Sequence, residues 1–510
     1  MTTVTETNGD DVTEGGRKTP WLLIGGGVAA AALLGGGTAF ALMMNGGGDR
    51  PDSVLPGEVA AYAQIDLDPS AGQKVAAVRF FQGLDSDLEQ RFSDGEWREW
   101  VWEQIEAEGD VPEGVSFEED IEPWLGDRAG VAMLPSGADE EPAVAVALQV
   151  KDGEAAMAFL DEQMADQSDE VGYYIEGDYI VFSEAATLDA VRSAAEAGTL
   201  SDNENFTSDM DDLGEAGVVA MWADMAQLDD IDPSDFDPSL EMTQEQLGMG
   251  GEQPEITGRV AATVRLTPDA IEMHGVSRDV AGMEVPAGGG DPLVTQLPAD
   301  TAVALSVENG SETVQAMWDY YSQDYAEELQ EAADAAEAEG FVLPDDLEVA
   351  LGDSMTLAVG PDIVGAVTGM SQTDPGVPEL PVAYRVTTDT ERAQELLNEN
   401  GLGAGMLVSR DDDGTLTLGT DQAYVDAVAE GEGDTLGDSD LFTRAVADAS
   451  EAQSTFFLDV SPFEQFYLPQ VTDEKARTAL EKLAAVGASS VVEEGGDGHF
   501  TMRIVADEQE

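Results

Sequence analysis

The chain has 510 residues, room for two or three domains at roughly 100 to 200 residues each. Its 42% apolar content is that of a globular protein, and its lack of Cys excludes disulfides, thiolate metal sites and a Cys nucleophile. A net charge of −85, from 106 acidic and 21 basic residues, repels phosphate backbones and anionic lipid, so no nucleic-acid partner is expected. Salt screens such self-repulsion, with a Debye length of about 8 Å at physiological ionic strength and about 3 Å at 1 M.

Residues 1–19 are polar and rich in Gly, Thr, Glu and Asp, and read as a disordered cytoplasmic tail. Residues 20–44 read as a transmembrane helix. Trp21 to Met44 runs 24 residues without a charge. At about 1.5 Å per residue that is roughly 36 Å, enough to cross a hydrocarbon core of about 30 Å. Arg17 and Lys18 precede the run, whereas Arg50 follows it between Asp49 and Asp52, a charge asymmetry that puts the N-terminus inside and the bulk of the chain outside. The competing reading is a signal peptide cut at Ala39-Phe40-Ala41. Residues 45–53 form a Gly/Asp/Pro linker.

Beyond it, alternating apolar residues over Ala60–Leu67 predict a strand, and Val75, Val78, Phe81 and Leu84 have helical spacing. Strands are expected at Ala129–Leu134 and Ala143–Val150, and a hairpin at "YYIEGDYIVF", turning at Glu176-Gly177-Asp178. Ala155–Met164 and Leu188–Ala195 are amphipathic. Two strands close the segment in "GRVAATVRLTPDAIEMHGVS".

The same series then recurs. "VLPGEVAAYAQIDL" from Val54 returns as "QLPADTAVALSVEN" from Gln296, offset 242. "DIEPWLGDRAGVAML" from Asp120 returns as "DLEVALGDSMTLAVG" from Asp346, offset 226. Val146 onward matches Val382 onward, and "VVAMWADM" at Val218 matches "STFFLDV" at Ser454. Leu200, Asp202 and Phe206 match Leu436, Asp438 and Phe442. The expected fold class is α+β: a tandem duplication of two similar extracytoplasmic domains, 54–283 and 291–510, with mainly antiparallel sheets and one transmembrane helix before them. Gly288 to Pro292 marks the boundary.

In Leu125-Gly126-Asp127 a short helix is expected to end at Leu125, with Gly126 left-handed after it and Asp127 accepting hydrogen bonds in the turn, a joint rather than a catalytic site. His274 and His499 lie in closing strands at unmatched positions, and no G-x-S-x-G is present, which argues against His-based catalysis and a zinc site. With 106 acidic residues, close carboxylate pairs are inevitable and uninformative. "LDDIDPSDFDPSLE", Leu228 to Glu241, lacks EF-hand spacing, leaving at most weak surface cation binding and no cofactor. In "EWREWVWEQI", Trp97, Trp100, Val101 and Ile105 share a helical face suited to a core. Asn205-Phe206-Thr207 and Asn309-Gly310-Ser311 are sequons by pattern alone.

The membrane run, Leu55-Pro56, "DLDPSAGQK" from Asp66 to Lys74, and Leu297-Pro298-Ala299-Asp300-Thr301 together resemble the actinobacterial domain-of-unknown-function family 3352. The resemblance spans nearly the whole exported region and implies a cell-envelope setting and no assigned activity or site residues; "LPGEV" departs from the family's L-P-x-D-T form. The expectation is a single-pass, membrane-anchored extracytoplasmic binding or scaffolding module, non-catalytic, whose partners are the membrane and an unidentified envelope ligand or protein. The alternative is a carboxylate-dependent envelope hydrolase acting on glycans.

Overall fold

Alternation of apolar side chains builds strands that bury one face each, and these join edge to edge into one sheet. The computed structural model describes residues 49–66, 70–81, 102, 115–135, 142–163, 170–228, 257–281, 286–287, 292–369, 379–402, 406–431, 433–472, 474–493 and 496–507. The membrane run 20–44 and nearly all of the boundary stretch lie outside them. No helix of the described residues is long and apolar enough to cross a membrane.

The N-terminal half runs β1 (Ala61–Asp66), α1 (Ala71–Phe81), β2 (Leu125–Met133), β3 (Val144–Val150), α2 (Gly153–Gln163), β4 (Val171–Glu176), β5 (Tyr179–Glu184), α3 (Leu188–Ala197), α4 (Glu204–Asp212), β6 (Val219–Asp224), β7 (Thr257–Leu266) and β8 (Ala270–Ala281). The C-terminal half runs β9 (Val303–Glu308), α5 (Gly310–Asp324), α6 (Ala326–Glu339), α7 (Asp345–Leu351), β10 (Ser354–Val359), α8 (Ile363–Gly369), β11 (Val382–Thr387), α9 (Thr390–Glu399), β12 (Val408–Asp412), β13 (Thr415–Gly419), α10 (Gln422–Glu430), α11 (Asp440–Ala445), β14 (Ser454–Asp459), α12 (Glu464–Tyr467), α13 (Glu474–Leu480), β15 (Leu483–Val492) and β16 (Gly498–Ala506).

The sixteen strands of the described residues form a single sheet, in the order β12-β13-β11-β10-β9-β14-β15-β16-β8-β7-β6-β1-β2-β3-β5-β4, and each pairs with its neighbours in antiparallel fashion. Read inward from either edge, the order is the same with eight added to each strand number. The halves meet where β8 pairs with β16, from Gly498 opposite Ser277 to Val505 opposite Ala270. The expected mixed, largely antiparallel fold is therefore present; its fusion into one continuous sheet was not foreseen.

Local devices recur between the halves. Ala61 faces Met133, and the residues at offsets 242 and 226, Val303 and Val359, face each other. Thr199 with Asp202, and Thr435 with Asp438, form capping boxes, in which each side chain satisfies a free amide of the turn. Pro56 bridges Thr199 and Pro298 bridges Thr435. Phe206 packs edge-on to Trp222 at 5.9 Å, and Phe442 to Phe457 at 5.3 Å.

The inner face of the sheet carries α3 and α4 in one half, with Tyr62, Val191, Leu200, Phe206 and Trp222 in the core. It carries α10 and α11 in the other, with Val428, Leu436, Phe442 and Phe457. On the outer face, α1 lays Ala76, Ala77 and Phe80 against Ile65, Val219 and Leu266, and α2 lays Ala156 and Leu160 against Ile180 and Phe182.

Four readings need correction. The buried stripe of α1 is Gln73, Ala76, Ala77 and Phe80, while Val75 is 54% exposed. Gln73 takes an inward position because its side-chain carbonyl accepts the Leu266 amide at 2.7 Å. Pro51–Ser53, assigned to the linker, is an ordered turn with Pro51 buried. In the first Leu-Gly-Asp joint the helical turn Phe117–Ile121 ends early and Leu125 already belongs to β2. Gly126 is required there by close approach, since a Cβ would lie 2.6 Å from the Gln149 Cβ; Gly352 is the left-handed one, at φ 58° after α7. Finally, the register of β6 on β1 and of β14 on β9 aligns Trp222, not Met221, with Phe457: Trp222 faces Tyr62 and Phe457 faces Ala304.

Candidate functional site

The β8–β16 seam carries a buried carboxylate, Glu272, between two arginines. Cross-strand register places Glu272 of β8 opposite both Arg265 of β7 and Arg503 of β16. Both guanidinium Nε groups donate to its carboxylate, Arg503 at 2.7 Å. Burial alone would raise the Glu272 carboxyl, but these hydrogen bonds outweigh it and hold it below the ordinary range. A carboxylate so held is a structural tie across the seam rather than an acid or base.

Two residues along β8, His274 Nδ1 lies 3.1 Å from Thr501 Oγ1. The His274 and His499 rings are 6.1 Å apart, and His499 Nε2 is 3.7 Å from Asp448 Oδ2. The sequence separated these histidines, and only the antiparallel crossing of the halves brings them together. Burial, then the charge of Arg265, lowers the His274 pKa, so it is neutral at pH 7. Thr501 is 5% exposed, so its hydroxyl meets its neighbours in the sheet and not solvent.

The other singled-out residues serve the fold. Asp127 is buried, its amide donates to Gln149 Oε1 at 3.0 Å, and Lys151 Nζ is 4.0 Å from its carboxylate. Asp353, its counterpart, is exposed, and its carboxylate accepts from Ser311 Oγ at 3.5 Å. Within "DLDPSAGQK", Asp66 pairs with Arg128 at 3.0 Å across β1–β2. Asn205 is exposed at the start of α4, but Phe206 beside it is in the core and Thr207 is bonded to the Asn203 carbonyl. Asn309 is left-handed and donates to the Ala287 carbonyl at 2.8 Å. Trp102 packs on Phe117, whereas Trp97, Trp100, Val101 and Ile105 lie outside the described residues, as does the acidic loop beyond Leu228.

A cleft of about 610 Å³ opens in the N-terminal half between the β1 approach, the end of α3 and the start of α4. Glu58, Asp202, Glu204 and Asp224 line it, over the edge of Trp222. Asp202 is engaged in its capping box, Asp224 caps Ala226, and Asn203 caps Asn205 and Phe206. Among the described residues, no group of three His, Cys, Asp or Glu is placed to hold a metal ion.

The halves differ most on the outer face. In the N-terminal half the cross-strand row Val131–Ala63–Met221 lies within the covered side, Ala63 being 3% exposed. The corresponding row of the C-terminal half is Leu357–Leu305–Phe456, continued through Ala488 to Met502. Here Leu305 is 39%, Leu357 37% and Met502 37% exposed. The helix that follows β9 explains the difference. α5 packs against α7 and α6, and Gly310 sits tight on Leu351, so α5 does not lie over the strands as α1 does. α9 covers only the flank, with Ala393 and Leu397 on Val386 and Leu416. Sequence alternation could not reveal this surface, because a covered and an open apolar face read alike.

Residues 21–174 match the family model described as protein of unknown function (DUF3352). No curated protein matches the chain, and no solved structure matches it.

Proposed function

We propose that this chain is an exported, membrane-tethered, non-catalytic module that binds another molecule of the cell envelope. The observation that carries the reading is the open apolar row Leu357–Leu305–Phe456, a contiguous surface that a free-standing fold would cover and a binding module would keep. The ionisable groups support it. Glu272, Asp66, Asp202 and Asp224 are each bound into an ion pair or a turn, which removes them from general acid–base work. The uncharged run Trp21–Met44, after Arg17 and Lys18, supports the tether and its orientation. We further infer that the halves arose by tandem duplication: strand order, capping boxes and aromatic stacks recur together, and shared ancestry explains all three at once.

The absence of Cys gives a clean test of placement. In intact cells, a membrane-impermeant maleimide should label Asp178→Cys, in the exposed β4–β5 turn, and should reach Thr3→Cys only after lysis. Labelling of Thr3→Cys alone would reverse the orientation. Recovery of the chain in the soluble cytosolic fraction, with neither site labelled in intact cells, would overturn the tether.

A further inference from the structure

Resting on that reading, we propose that the outer face of β10, β9, β14, β15 and β16 docks a cationic amphipathic polypeptide segment. The outward residues of these strands are apolar or uncharged: Leu357, Leu305, Phe456, Ala488 and Met502 form one row, and Val359, Val303, Leu458, Val486 and Ile504 the next. The occupant must therefore offer an apolar stripe.

Its charge follows from what borders the face. From Gly310 to Leu351, which spans α5, α6 and α7, the sequence has twelve Asp or Glu and no Lys or Arg, and of the twelve Asp346 is buried and paired with Arg392 of α9 at 2.7 Å. At the opposite strand ends, Glu464 is raised above its ordinary pKa by partial burial and then by the like charges of Asp507, Glu481 and Asp459. Among the described side chains of α13 and the turn after it, Arg477 and Lys482 are basic, and Arg477 is paired with Glu481 at 3.8 Å. Phe466 of α12, 65% exposed, projects at this rim. Carboxylates held at one another's expense gain from an incoming cation, whereas a second copy of a −85 chain, or a bilayer of anionic lipid, meets repulsion at the same border. An apolar face with acidic banks fits a helix with Leu-like residues on one side and Lys or Arg on the other.

The test uses the full chain in zwitterionic nanodiscs, with empty discs as baseline, and a fluorescent Leu/Lys amphipathic helix of about five turns. Saturable binding is expected. Leu305→Asp/Leu357→Asp should weaken it by about tenfold or more, although the two added negative charges would strengthen a purely coulombic attraction. A scrambled peptide of the same composition should bind as weakly to wild type. Equal or tighter binding by the double variant, or equal binding of the scrambled peptide, would overturn the proposal. So would equal affinity for a Leu/Ser helix without charge, or concentration-dependent dimerisation or binding to anionic vesicles that Leu305→Asp/Leu357→Asp abolishes. Circular dichroism confirms the fold of the variant, and Met502→Asp, on another strand of the same face, repeats the test should it unfold. Maleimide labelling is independent of this assay, so loss of peptide binding with correct labelling removes the partner and leaves the exported module standing.

Discussion

The two halves of the sheet share a skeleton and differ in what they do with it. At the end of β1, Asp66 meets Arg128 across the strand pair, a conventional ion pair. At the same place in the other half, Glu308 meets Ser354, and among the described residues it is hydroxyl groups, Ser354 Oγ at 2.9 Å and Ser306 Oγ at 3.1 Å, that donate to its carboxylate. On the outer face one half is covered by α1 and the other lies open. What is common are the groups the backbone itself requires: caps, turn residues and the aromatic stack beneath the inner helices. What differs is the outward surface and the charge balance at one strand end. Fold upkeep thus concentrates on the inner face, and the outer face of the C-terminal half is released from it.

The sharpest way to break this comparison is to attack the shared skeleton. Phe206→Ala and Phe442→Ala should each cost about 3–5 kcal/mol, since each ring is fully buried in an edge-on stack. Denaturant midpoints that fall for one and hardly move for the other would show that the stacks are not equivalent. A smaller effect separates the two Leu-Gly-Asp joints. Gly352 has φ 58° and ψ −163°, a region essentially reserved for glycine, and a Cβ there would also meet the Thr387 carbonyl. Gly126→Ala meets only crowding by Gln149. Gly352→Ala should therefore cost about 2–3 kcal/mol and exceed Gly126→Ala, and the reverse order would discard the distinction drawn between them.

The smallest effect is a pH dependence. Burial raises the Glu308 carboxyl above its ordinary 4.5, only partly offset by the hydrogen bonds from Ser354 and Ser306. Below that value the group is protonated whether the chain is folded or not, and folding incurs no penalty. As pH rises through the folded value, the buried carboxyl must ionise and stability is lost. Glu308→Gln should thus melt like wild type near pH 4 and above it at pH 7; a gain confined to acid would contradict the sign. Asp66→Asn should instead destabilise at pH 7, because it removes the negative charge that Arg128 pairs with across β1–β2.

Much of the skeleton was legible because it depends on particular residues. Leu200, Asp202 and Phe206 could be matched to Leu436, Asp438 and Phe442, since a capping carboxylate and buried side chains tolerate few substitutes. Register was less legible. Sliding "VVAMWADM" by one residue against "STFFLDV" looks harmless in sequence, yet in a strand it turns every side chain to the opposite face. The α1 stripe was misplaced because Gln73 occupies a buried slot for its hydrogen bond, which apolar periodicity does not count. The proximity of His274 and His499, and the Glu272 cluster, arise from a strand pairing between residues more than 200 positions apart, for which neither strand carries a local signal.

One consequence of the strand order concerns how the molecule is made. The middle of the sheet is the pairing of β8 with β16, and β16 follows β8 by more than 200 residues as the last of the described strands in chain order. As the polypeptide is delivered from its N-terminus, the first eight strands can close among themselves while the backbone amides and carbonyls along β8 wait for their partner. That exposed border is a template for wrong pairing until β16 arrives. A truncation that removes residues 498–510 would leave the border open permanently, so the molecule's centre, not its periphery, is where premature termination does its damage.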